Sequence, residues 1–339
     1  MTHAGPAVPV VVHDPRTTTG TAHALVFAPV TPAWDEGAFF APVIETLTGA
    51  AGGEAVPGAG PDPAPAAAGR HAAGAVRAGS AGSGTGPGAR AGAGPEVRAG
   101  AREEAGAWEE AGARTRTGAG SRARAAGPRA GLRVTVVDTL ALLDEDVRTL
   151  ADLVARWRAL LPEFGPVDLL CGNALGGAVA QGLLPYVAPE TGVLLVSGPA
   201  RSDTPLEQRL TEIADLAATG DPDAALTLLH HRVLPEGTPR PGPGAPLSEP
   251  TSRRTAARRL GQGLRLLCGI DVTPAVAAHP GPLLHLVGGR SQLVTARHTA
   301  AAPHHRVHVV PDAGMRPHTD QPAEVSALIE TFLREKGLT

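Results

Sequence analysis

The chain has 339 residues, a formal net charge of −3, only 3% aromatic residues, and an excess of glycine (43) and proline (33). That charge excludes a broad basic surface for nucleic acid, and the absence of any apolar run of about 18 residues excludes a membrane-spanning helix. Two cysteines, Cys171 and Cys268, form no disulfide framework, and the N-terminus shows no basic and apolar leader, so a cytoplasmic protein is expected.

In chain order, Pro9–His13 and His23–Val30 read as strands and Phe39–Leu47 as a short helix. Residues 50–131 hold about half of the glycines, three valines and Trp108, but no Leu, Ile, Met, Phe or Tyr. Such a segment cannot bury enough apolar surface to offset its ordering entropy, so it is expected to be a disordered insertion. A smaller stretch of the same kind runs from Pro235 to about Arg254. Arg133–Asp138 is a buried strand, and a helix is predicted over Asp144–Leu161 with Val147, Leu150, Val154, Trp157 and Leu161 inward and Asp144, Glu145 and Asp146 in its first turn. Val167–Gly172 is a strand entering a tight turn, followed by a helix over Leu175–Tyr186. Gly192–Ser197, Pro282–Gly288 and Arg306–Pro311 complete the strands, and Gln321–Glu335 is a final amphipathic helix.

Strands alternating with helices predict an α/β fold: a mostly parallel sheet with helices on both faces. The largely helical block 202–278 interrupts the alternation and predicts a small helical cap at the C-terminal edge of the sheet. The predicted units are a core formed by 1–49, 132–201 and 279–339, the insertion 50–131 and the cap 202–278.

The strand–turn–helix Leu170-Cys-Gly-Asn-Ala-Leu-Gly-Gly177 resembles the nucleophile elbow of the α/β-hydrolase family, G-x-S-x-G, with Gly172, Gly176 and Gly177 in place and Ala174 where the serine belongs. Val287-Gly-Gly-Arg-Ser-Gln-Leu-Val294 resembles that family's acid segment with Ser291 at the acid position. Pro311-Asp-Ala-Gly-Met-Arg-Pro-His-Thr-Asp-Gln-Pro322 resembles its histidine segment with Met315 at the histidine position. The resemblance implies the α/β-hydrolase fold and covers nearly the whole chain outside the insertion. All three triad members are missing. Ala174 offers no nucleophilic atom and Met315 carries no proton at neutral pH, which argues against acyl-enzyme hydrolysis.

The family's His-Gly oxyanion pair is matched by Ala28-Pro29, although the amides of Val30 and Leu175 remain as donors. A cleft between sheet and cap is expected to hold a small-molecule or peptide ligand against Val30, Trp34, Asn173, Ala174, Leu175 and Met315. Asp35, Glu36 and Asp203 are further carboxylates whose facing the cleft would supply a base; Asp203 reads otherwise as a helix N-cap. His318 reads as a packing residue, Cys171 as core, and His298, His304, His305 and His308 as a polar loop and strand rather than a metal site. No metal and no cofactor is expected.

In its fold and missing triad the chain resembles the bottromycin epimerase group. That resemblance implies epimerisation of an aspartate residue in a ribosomally made, modified peptide, with the substrate's own carboxylate as base. The alternative is an inactive pseudo-hydrolase that binds a ligand or supports a partner biosynthetic enzyme.

Overall fold

Seven strands form one sheet, and their order places the loops that matter for function. The computed structural model describes residues 8–15, 22–49, 131–240, 242, 244 and 246–338. The predicted insertion lies outside these residues except for Gly131. The strands are β1 (Val10–His13), β2 (His23–Phe27), β3 (Arg133–Val137), β4 (Leu169–Asn173), β5 (Gly192–Val196), β6 (Leu283–Gly288) and β7 (Arg306–Val310). They lie in the order β1-β3-β2-β4-β5-β6-β7. β1 pairs antiparallel with β3, and every other pairing is parallel.

The central strands β4, β5 and β6 are buried at every position, as expected for a parallel sheet covered on both faces. Their side chains alternate. Leu170, Val193 and Leu195 join one apolar cluster, and Leu169, Cys171, Leu194 and Val196 join the other. The first cluster is closed by α2 (Leu150–Leu160), α3 (Leu175–Leu183) and α7 (Thr273–Ala278), and the second by α1 (Ala41–Leu47) and α9 (Pro322–Lys336). Between β5 and β6 the helices α4 (Thr204–Ala218), α5 (Pro222–Val233) and α6 (Pro250–Arg265) pack on one another.

Four local features differ from the sequence expectation. The predicted helix from Asp144 begins only at Leu150, because Thr149 makes a capping box. Its hydroxyl accepts from the Asp152 amide at 3.2 Å, and Asp152 accepts from the Thr149 amide at 2.8 Å. Asp144, Glu145 and Asp146 therefore precede the helix, and Asp144 instead accepts from the Asp146 amide and pairs with Arg156. The helix after the elbow becomes a 3₁₀ turn at Leu184–Tyr186, where Pro185 has no amide to donate. The Pro-rich stretch predicted to reach Arg254 gives way to α6 at Pro250, a residue suited to a first helical turn. Finally, Gly131 is folded: a Cβ there would lie 2.1 Å from the Thr48 carbonyl oxygen. The next residue, Leu132, donates its amide to the Leu47 carbonyl at 2.8 Å. The two ends of the insertion thus meet, which lets the domain close without stretching across it.

Candidate functional site

The turn between β4 and α3 sets the geometry. Ala174 has φ 49° and ψ −116°, a backbone conformation that L-residues rarely adopt. The turn is held by the Ala174 amide, which donates to the Val196 carbonyl at 3.1 Å, and by Asn173 Nδ2, which donates to the same carbonyl at 2.9 Å. Close approach requires glycine behind it. A Cβ on Gly176 would lie 2.1 Å from the Phe27 carbonyl oxygen, and one on Gly172 would lie 2.4 Å from that of Gly176. The chain therefore retains a strained elbow at a residue with no functional atom on its side chain.

Ser291 and Met315, matched by resemblance to the acid and histidine segments, also meet. The Ser291 hydroxyl donates to the Met315 thioether sulfur at 3.8 Å, and both side chains are buried. Met315 is held by its amide, which donates to the Val233 carbonyl at 2.9 Å, so this loop is fastened to α5. Among the described residues the amides of Val30 and Leu175 have no protein acceptor. They border the cavity above the elbow and remain available to an oxygen of a ligand.

That cavity has a volume of about 400 Å³. Loops after β2, β4, β6 and β7 form its floor, and α4, α5 and α6 form its roof, which puts it at the C-terminal ends of the strands. Val30, Trp34, Asn173, Ala174, Leu175 and Met315 all line it, while Ser291 lies behind Met315. Of the three carboxylates singled out in the sequence, Asp35 lines the cavity, with its oxygens accepting from the Gly37 and Phe39 amides at 3.1 and 3.2 Å. Glu36 is exposed and outside the lining. Asp203 is also outside it: its side chain caps α4 through the Leu206 amide at 2.9 Å and lies 3.1 Å from both Arg297 and His298.

The histidines disperse. His298 Nδ1 accepts from the Thr295 amide, the rings of His304 and His305 both reach the His279 carbonyl, and His308 pairs with Glu324. Among the described residues no group of three His, Cys, Asp or Glu side chains is placed to hold a metal ion. No described helix is long and apolar enough to cross a membrane. Cys171 is fully buried, and desolvation pushes its thiol pKa up, away from reactivity. His318 is buried, its Nε2 donates to the Phe39 carbonyl at 3.0 Å, and its ring packs edge-on against Phe40. Burial depresses its pKa to about 4.

Sequence reasoning missed the roof of the cavity, supplied by Leu206, Leu210, Leu229, Leu264 and Leu267, and two basic side chains in its lining, His230 and Arg316. It also missed the fastening of the cap. Arg259 of α6 makes a buried bidentate pair with Asp138, at 2.9 and 2.7 Å, and its Nε donates to the Thr31 carbonyl at 2.8 Å. Thr31 lines the cavity, so this pair ties roof to floor at the cavity wall. The only sequence sign of it is an acid at the end of a buried strand.

No family model and no curated protein matches the sequence. Solved structures do match. A bromoperoxidase from Bacillus anthracis aligns over 96% of both chains with 11% identity and a TM-score of 0.57. The enol-lactonase from Burkholderia xenovorans gives 13% identity, 96% of both chains and 0.57. An α/β-hydrolase enzyme from a Medee basin deep-sea metagenome library gives 9% identity, 96% of this chain, 94% of that one and 0.57. At these identities the likeness establishes architecture alone. The architecture of this chain is the α/β-hydrolase fold.

Proposed function

We propose that this protein holds an organic ligand in the cavity beneath α4–α6 without forming an acyl-enzyme. The observation that carries this reading is Ala174: the elbow keeps its strained backbone while the atom that would attack an ester is absent. Met315 has no proton to exchange, so that position supplies no base to activate a nucleophile. What remains is a concave, mostly apolar site with two backbone donors at its floor, suited to binding by area and shape. The test is paired. The protein is mixed with p-nitrophenyl acetate and, separately, titrated calorimetrically with octan-1-ol as a neutral apolar probe. Saturable probe binding without a burst or turnover supports the reading; an acyl burst overturns it.

The apolar walls also favour a second, catalytic reading. An aspartate-bearing modified peptide placed here would have its own carboxylate desolvated and made more basic, and that carboxylate would remove the adjacent Cα proton for epimerisation. The half-buried Asp35, the one carboxylate in the lining, offers a protein-supplied base for the same proton transfer. Deuterium incorporation at the aspartate Cα in D₂O tests both routes. Loss of exchange in Asp35→Asn assigns the base to the protein, and unchanged exchange assigns it to the substrate. A peptide that binds but exchanges nothing returns the protein to a binding role, either alone or beside a partner biosynthetic enzyme.

A further inference from the structure

The cavity is apolar in its walls but carries an arginine that makes no ion pair among the described residues. Arg316 directly follows Met315 and lines the cavity together with His230. Arg316 Nε is buried without a hydrogen-bond partner, and among the described residues its guanidinium makes no ion pair. Asp35, the lining carboxylate, is already engaged by two backbone amides. His230 cannot neutralise Arg316. Desolvation and the Arg316 charge together hold the His230 pKa below its ordinary value.

A guanidinium N–H shut away from water and left without an acceptor costs free energy, and no acceptor comes from the described residues. An anion arriving with a ligand removes that cost. The converse also holds: a carboxylate entering apolar walls alone would take up a proton, and a guanidinium beside it keeps it ionised. A planar two-oxygen anion suits the guanidinium fork better than a single-oxygen acceptor does.

We infer that the cavity takes an organic acid, with its apolar body against Leu206, Leu210, Leu229, Leu264 and Leu267 and its carboxylate on Arg316. This rests on the reading of the cavity as a ligand site and names the chemistry of the ligand.

The experiment is calorimetric titration of the full chain with octanoate and octan-1-ol, which share an apolar body and differ in charge. The unaltered protein is expected to bind octanoate more tightly. Arg316→Gln is expected to weaken octanoate about tenfold while leaving octan-1-ol within about twofold, and Arg316→Lys to recover part of the loss. Octan-1-ol binding to each variant serves as the check that its cavity is still folded. If octan-1-ol binds as well as octanoate, or Arg316→Gln leaves octanoate unaffected, the organic-acid inference falls and the cavity reading stands. If neither probe binds the unaltered protein, the cavity reading fails and the inference fails with it.

Discussion

The Ser291 hydroxyl donates to the Met315 sulfur across 3.8 Å. By resemblance to the α/β-hydrolase sequence pattern these residues match its acid and histidine positions, 24 positions apart in sequence, and the fold brings them into contact. Ala174 supplies the third position on an elbow of intact shape. Refitting the triad should therefore confer activity. Ala174→Ser alone is expected to hydrolyse p-nitrophenyl acetate only at a low basal rate, because nothing takes its proton. Ala174→Ser/Ser291→Asp/Met315→His is expected to exceed it by about 10²–10⁴-fold, the usual contribution of a positioned base. Pre-steady-state burst kinetics on the two variants would show whether the loops still hold triad geometry.

The strain at Ala174 serves no side-chain chemistry now. A non-glycine residue at φ 49°, ψ −116° costs about 1–3 kcal/mol, and glycine relieves it. Glycine also loosens the unfolded chain by about 0.4–1 kcal/mol. Ala174→Gly is thus expected to stabilise by about 1 kcal/mol, read as a rise in the urea midpoint at constant m-value. A destabilised variant would mean that the elbow is relaxed.

Arg259 should matter more than any exposed arginine. Its side chain and that of Asp138 are 8% and 4% exposed, so removing one partner strands the other charge. Arg259→Met is expected to cost about 3–5 kcal/mol, whereas Arg259→Met/Asp138→Leu recovers much of it. Hydrogen exchange would show where the loss falls: α6 amides are expected to lose protection in the single variant while those of β4 and β5 keep theirs.

Two buried histidines contribute to the acid limb of stability. Burial depresses His285 to about 3 and His318 to about 4, while a histidine in the unfolded chain titrates near about 6.5. Below that unfolded value the unfolded state binds more protons than the folded one. The stabilisation is therefore complete above about pH 6.5 and is lost as pH falls toward the folded values, by about 1.4 kcal/mol per pH unit for each group. His285→Leu should remove one proton from this dependence between pH 6 and pH 4 (about one unit of slope). Both ring nitrogens of His285 are buried without partners, so the same variant should also gain about 1–3 kcal/mol at pH 7. Urea unfolding at pH 7 and pH 5 checks both effects; an unchanged pH dependence would show that His285 is protonated in the folded state.

Much of this protein was written locally. The apolar runs at Leu169–Asn173 and Gly192–Val196 are buried strands because every position faces a covered sheet face, and a short window of residues states that. The tight turn at Ala174 was legible for the same reason: Gly172, Gly176 and Gly177 are demanded by backbone approaches within a few residues of Ala174 and to the neighbouring strand end. The helix start at Leu150 was misplaced because several acids precede it, and only the paired bonds between Thr149 and Asp152 decide among them.

The wall of the cavity was not legible in that way. Thr31 and Arg259 are 228 positions apart, and neither sits in a motif that points to the other. Leu206, Leu229 and Leu264 read equally well as core residues of amphipathic helices, because hydrophobic spacing says which face is covered and not by what. Arg316 reads in sequence as one arginine among many. The sequence by itself determined the sheet and the glycine-bearing turn at Ala174, since these rest on apolar patterning and backbone sterics over short spans. Tertiary structure alone decided that an unpaired guanidinium faces an apolar cavity, because burial and the absence of an acceptor depend on residues from three separate parts of the chain.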